Sequence, residues 1–217
     1  MKPSSHQQML ETVLVVVAPL ALAVLEMFHP HPHDVFDLDL QTWLVVHYLQ
    51  LPLMPLAALA MTVLVRGQSG FAPTMCRVGM FVFGVSYLAF DTTAGLGTGV
   101  LVKAAQASGS PEAWRAPVME LWTHPILGGA RGTAPLLAVL GAVAWLLGAV
   151  AAAVAVRRAG CSWVPVGLLV VSGLGLVVFR THAWPGGPVT FGSLAAAAAW
   201  LQWERTVQAK TGVDIAA

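Results

Sequence analysis

The chain has 217 residues, 57% of them hydrophobic and only 10% charged, with a formal net charge of +1. A water-exposed globule needs about a quarter of its residues charged, so the composition excludes an ordinary soluble domain. The near-zero charge and the lack of a Lys/Arg-rich run exclude a broad nucleic-acid footprint.

In chain order, apolar runs long enough to cross a bilayer fall at 9–28, 41–65, 76–102, 133–156, 163–180 and 188–204. They are continuous, not alternating, and longer than barrel strands, so they predict helices that satisfy their own backbone groups in lipid. The expected fold is an all-α integral membrane protein, a single bundle of six transmembrane helices, with no room for a separate catalytic domain. No small-x-small cleavage site ends the first run, so it is expected to stay as an uncleaved span. The last run is the shortest and richest in Ala.

With the amino terminus inside, the inner segments carry Lys2, Arg66, Arg77, Arg157, Arg158, Arg205 and Lys210, against Lys103, Arg115, Arg131 and Arg180 outside. That bias predicts cytoplasmic termini. It also puts Cys76 and Cys161 at the cytoplasmic side, as free thiols. The Ala-, Val- and Gly-rich makeup points to a bacterial plasma (inner) membrane, with the lipid bilayer as the main partner. The long linker between the third and fourth runs contains Trp114, Met119, Leu121 and Trp122 among charges. It predicts a short segment lying at the membrane interface, or a lid over an outward-facing cavity.

Placed on this topology, the ionisable residues lie toward one side. Glu26 and His29 close the first span on the outer face, and His31, His33, Asp34, Asp37 and Asp39 follow in the first outer loop. His47 lies about two turns into the second span, on one helical face with Trp43 and Gln50. Asp91 is in the outer half of the third, His124 in the outer linker and His182 at the outer end of the fifth, leaving only His6 of the seven histidines inside.

Asp91 carries the most weight, because a carboxylate at this depth costs at least about 2.5 kcal/mol and needs a partner or a function. The plain structural partners would be Ser86, Thr92 or Thr93. Glu26-Met-Phe-His29 has the Glu-x-x-His spacing that sets both side chains on one helical face, but it occurs once, where di-iron bundles use two copies. His29-Pro-His31-Pro-His33 resembles a metal-collecting tract.

Neutral imidazoles with one carboxylate suit zinc or non-haem iron. His29, His47, Asp91 and His182 are the candidate metal ligands, and Glu26 and Asp91 the candidate acid-base groups. The function that joins these residues is a metal-dependent membrane enzyme, a hydrolase or oxidase, acting on a lipid-soluble small molecule or a periplasmic substrate. Three alternatives are a b-type haem held by His47 and His182, a cation-binding transporter, and an accessory subunit. Polar residues thin out below Asp91, which favours a one-sided site over a conduit. Gly95-Leu-Gly97-Thr-Gly99 lacks phosphate-loop spacing and a preceding strand, so a nucleotide site is rejected.

Overall fold

The structure is a computed structural model and describes residues 10–130 and 132–211, with side chains up to Val207. Lys2, His6, Arg131 and the side chain of Lys210, used above to orient the chain, lie outside it. Every regular element among the described residues is helical. The principal helices are α1 (Leu10–Phe28), α2 (Leu40–Leu64), α3 (Phe71–Ala107), α4 (Glu112–Trp122), α5 (Leu136–Arg158), α6 (Trp163–Phe179) and α7 (Gly186–Thr211).

Four of these, α1, α2, α3 and α5, are long and apolar enough to cross a membrane. α6 is apolar but only 17 residues long. α7 is long, and its Ala, Gly and polar residues lower its hydropathy. Large apolar side chains such as Phe81, Trp163 and Val178 lie exposed on the outside of the bundle, the arrangement that a hydrocarbon solvent requires.

The third helix extends beyond the expected 76–102 at both ends. Pro73 falls in its first turn, where a missing N–H costs nothing, and the far end continues through Ala107. At about 1.5 Å per residue, its 37 residues outrun a hydrocarbon core of about 30 Å. The excess projects from one end of the bundle.

The six long helices close into a ring. α1 packs on α2, α2 on α3, α3 on α5, α5 on α6, α6 on α7, and α7 returns to α1. Small residues set the tightest approach: a Cβ at Gly79 of α3 would lie 2.7 Å from the Ala144 carbonyl of α5, and removing such side chains lets backbones meet in lipid. Met54, Met61, Met80, Phe83, Trp145, Phe191 and Leu194 fill the centre.

A second, smaller core closes one end. Val35, Leu38, Trp43, Val102, Val118 and Trp122 pack together, which seats the 3-10 turn Val35–Asp37 and α4 against the projecting end of α3. Arg115 of α4 donates to Asp34 at 3.0 Å and lies 4.8 Å from the Phe36 ring centroid. The backbone N–H of Phe36, and then Arg115, hold the Asp34 carboxyl below its usual range. The segment between α3 and α5 is therefore a short helix folded over the end of the bundle.

Candidate functional site

The capped end holds the buried Glu26, His47, Gln50 and Asp91, while Glu204 is buried toward the opposite end of α7. α2 begins at the N-cap Asp39, whose side chain accepts from the Thr42 N–H and hydroxyl. That start directs Trp43, His47 and Gln50, at i, i+4 and i+7, into the ring, where all three are buried. Facing them is a π-helical segment of α3, Asp91–Gly97. Such segments shift the hydrogen-bond register and recur at functional sites. Here the Gly95 carbonyl accepts from Trp43 Nε1 at 2.8 Å.

Gly95 and Gly99 leave room for this contact. A Cβ on Gly95 would overlap the His47 imidazole, and one on Gly99 would lie 2.8 Å from Trp43 Cδ1. The small residues of the Gly95–Gly99 run thus accommodate two aromatic side chains of α2.

His29, His47 and His182 come together. Ring centroids are 4.9 Å apart for His29 and His47 and 4.8 Å for His29 and His182, whose Nε2 atoms are 3.2 Å apart. His31 lies 5.9 Å from His29 by ring centroid. His47 Nε2 is 3.7 Å from Asp91 Oδ1, an ion-pair distance too long for a hydrogen bond.

The protons on two rings follow from their neighbours. His29 Nδ1 is 2.9 Å from the Pro30 carbonyl and His47 Nδ1 is 2.7 Å from the Trp43 carbonyl. A carbonyl only accepts, so both Nδ1 atoms carry hydrogen and each neutral ring presents a lone pair at Nε2. In the loops flanking the spans, burial is the main cause that lowers the pKa of His29 well below the usual histidine value and that of His182 to about 3, with neighbouring imidazoles adding to it.

Asp91 is 2% exposed, and neither of its carboxylate oxygens has a hydrogen-bond partner among the described residues. Ser86 and Thr92 make no bond to it, and Thr93 gives its hydroxyl to backbone carbonyls of its own helix. Glu26 is fully buried, accepts from Gln50 Nε2 at 2.8 Å through Oε1, and leaves Oε2 without a partner.

The helical-face reading of Glu26-x-x-His29 does not hold. α1 tightens to a 3-10 turn over Glu26–Phe28, and His29 is extended at ψ 119°, as expected before Pro30. The two side chains consequently point to different neighbours, Glu26 to Gln50 and α7, His29 to His47 and His182. His124 lies apart, with its Nδ1 capping the N–H groups of Ile126 and Leu127.

His29, His31, Trp43, His47, Asp91 and His182 line one cavity of about 970 Å³. Trp122 at the end of α4 also lines it and lies 5.9 Å from Trp43 by ring centroid. Sequence reasoning overlooked Tyr87, the Gln50–Glu26 pair and Gly95. The i, i+4, i+7 stripe on α2 was the available signal for Gln50. Among the described residues, no group of three or more His, Cys, Asp and Glu stands arranged to hold a metal ion.

Gln50→Leu removes the one donor to a fully buried carboxyl group. It should cost about 1–3 kcal/mol, read as a lower thermal midpoint in detergent, with Gln50→Glu worse. An unchanged midpoint in Gln50→Leu would show that Glu26 does not depend on this bond.

Apolar helices around a buried polar cavity make this a membrane protein with a one-ended polar site. No protein-family model, curated protein or solved structure matches the chain.

Proposed function

We propose that this is a six-span protein with cytoplasmic termini whose capped end faces away from the cytoplasm and houses a divalent transition metal for hydrolysis. The observation that carries it is Asp91: two buried carboxylate oxygens without a donor, facing a His47 Nε2 that also carries no proton. Acceptors turned toward one another repel unless a cation or a proton lies between them. His29 and His47 have their Nδ1–H groups fixed by backbone carbonyls, the orienting contact that metal-bound imidazoles use. The 3.2 Å between His29 and His182 Nε2 is also close to the roughly 3.3 Å expected for two imidazoles on one tetrahedral ion with bonds of about 2.0–2.1 Å.

The ligands are His29, His47, His182 and Asp91, which have to close in on the ion from where they stand. Zinc or ferrous iron suits this set. The ion would bring a bound water to a pKa of about 7. Asp91, which lines the cavity, would accept the proton given up as that water attacked an ester centre, whereas Glu26 is turned to Gln50. The leaving alkoxide would take the proton back, so that one water would be divided between acid and alcohol. Hydrolysis is favoured over oxidation because water is its only co-reactant. The haem alternative gains nothing from the site, since His29 contacts both His47 and His182, the two rings that would face each other across a porphyrin.

Elemental analysis of the detergent-purified protein tests the reading. About one zinc or iron per chain is expected, lost in His47→Ala. Sub-stoichiometric metal that His47→Ala leaves unchanged overturns it. An impermeant thiol reagent applied to intact cells should label Asp37→Cys and leave Cys161 unmodified. The reverse pattern overturns the orientation.

A further inference from the structure

The cavity continues from the polar cluster into a gap between α5 and α6. Lower down these helices are in contact: Trp145 Nε1 donates to the Ser172 carbonyl at 3.1 Å, and a Cβ on Gly173 would lie 3.3 Å from Ala149. Val139, Ala142 and Val143 of α5 and Val177 and Phe179 of α6 line the cavity. Val139, Val143 and Phe179 are also 42%, 41% and 43% exposed. Side chains that line the cavity and keep this much exposed surface border an opening, and between two apolar helices that opening leads sideways toward lipid.

Among the described residues, a cation stands at the rim. Arg180 ends α6 in the left-handed conformation, at φ 53°, lines the cavity and is exposed. Among the described residues it has no ion-pair partner: Asp34 is held by Arg115 and Asp39 by Thr42, and Asp37 forms no ion pair with it. An unpaired guanidinium beside an apolar slot matches an anionic group on an apolar chain, and its planar fork suits phosphate.

We infer that the cavity takes a lipid with an anionic phosphate headgroup, admitted sideways between α5 and α6, with its phosphate at Arg180 and its chain along Ala142 and Val177. This deepens the proposed function by naming the substrate class, and it rests on that reading for the chemistry but not for the binding.

Native mass spectrometry of the delipidated full chain tests it, with phosphatidylglycerol, phosphatidylcholine and glycerol 3-phosphate as probes and metal content measured on the same samples. The wild type should prefer phosphatidylglycerol to phosphatidylcholine about fivefold, the ~1 kcal/mol that one basic residue contributes toward an anionic lipid. Arg180→Gln should erase the preference. Ala142→Trp should abolish retention of either lipid with metal content unchanged. If Ala142→Trp does not purify, Val177→Trp on the opposite wall carries the same test.

Equal retention of the two lipids by the wild type, or full retention by the blocked variants, overturns the inference. So does displacement of the lipid by glycerol 3-phosphate at equal concentration, which would make the site one for soluble phosphates. The expected lipid results from protein without metal would overturn the hydrolase reading and leave the lipid site standing.

Discussion

Chelation should lower the thermal midpoint of the wild-type protein and leave that of Asp91→Leu unchanged, with the chelated wild type below the variant. The reversal follows from the setting of Asp91, which is 2% exposed with both carboxylate oxygens unpartnered. An ion present at about a thousand times its Kd stabilises the folded state by about 4 kcal/mol. At about 2–4 °C per kcal/mol for a chain of this size, its removal should cost roughly 10 °C. Once the ion is gone, the carboxyl is a buried polar group without a partner. Replacing it with an apolar residue of similar volume should then gain about 1–3 kcal/mol. A midpoint insensitive to chelator, with Asp91→Leu less stable than wild type in both conditions, would assign Asp91 a structural role and remove the metal.

The helices were legible because lipid forces long continuous apolar runs, and those starting at Leu40 and Trp163 begin within one residue of the expected positions. What the runs could not show is where hydrogen-bond register changes. The 3-10 end of α1 turns His29 away from the face that carries Glu26, and the π segment of α3 brings the Gly95 carbonyl to Trp43. Both depend on tertiary packing, not on hydropathy.

Depth alone put His29, His47, Asp91 and His182 at one level, and all four line one cavity. Their partners were not legible. Polar residues near Asp91 in sequence suggested Ser86, Thr92 or Thr93, yet Thr93 bonds to its own helix and Asp91 is left bare. Glu26 found Gln50 across a helix interface, a pairing with no local signature.

Gly95→Ala should disable the site as thoroughly as losing a ligand, although Gly95 has no functional group. A Cβ there would overlap Cδ2 and crowd Nε2 of His47, which is itself held between the Trp43 ring at 4.2 Å and the Trp43 carbonyl. With the ring tied to the Trp43 carbonyl, either His47 gives up that bond and shifts in the cavity or α2 separates from α3. Overpacking of this kind costs about 1–3 kcal/mol. The displaced Nε2 should reduce metal retention at least about tenfold, on the scale of losing an orienting contact. Gly84→Ala is the matched control on the same helix. Nothing lies within 4 Å of its Cβ position, so alanine should be neutral or stabilise by up to about 1 kcal/mol. The double variant Gly95→Ala with His47→Ala separates the two consequences. Removing the ring relieves the overlap and should restore the thermal midpoint toward that of His47→Ala alone, while the metal stays absent. If Gly95→Ala retains metal and midpoint as Gly84→Ala does, the close fit of the π segment against His47 is not what holds the site together.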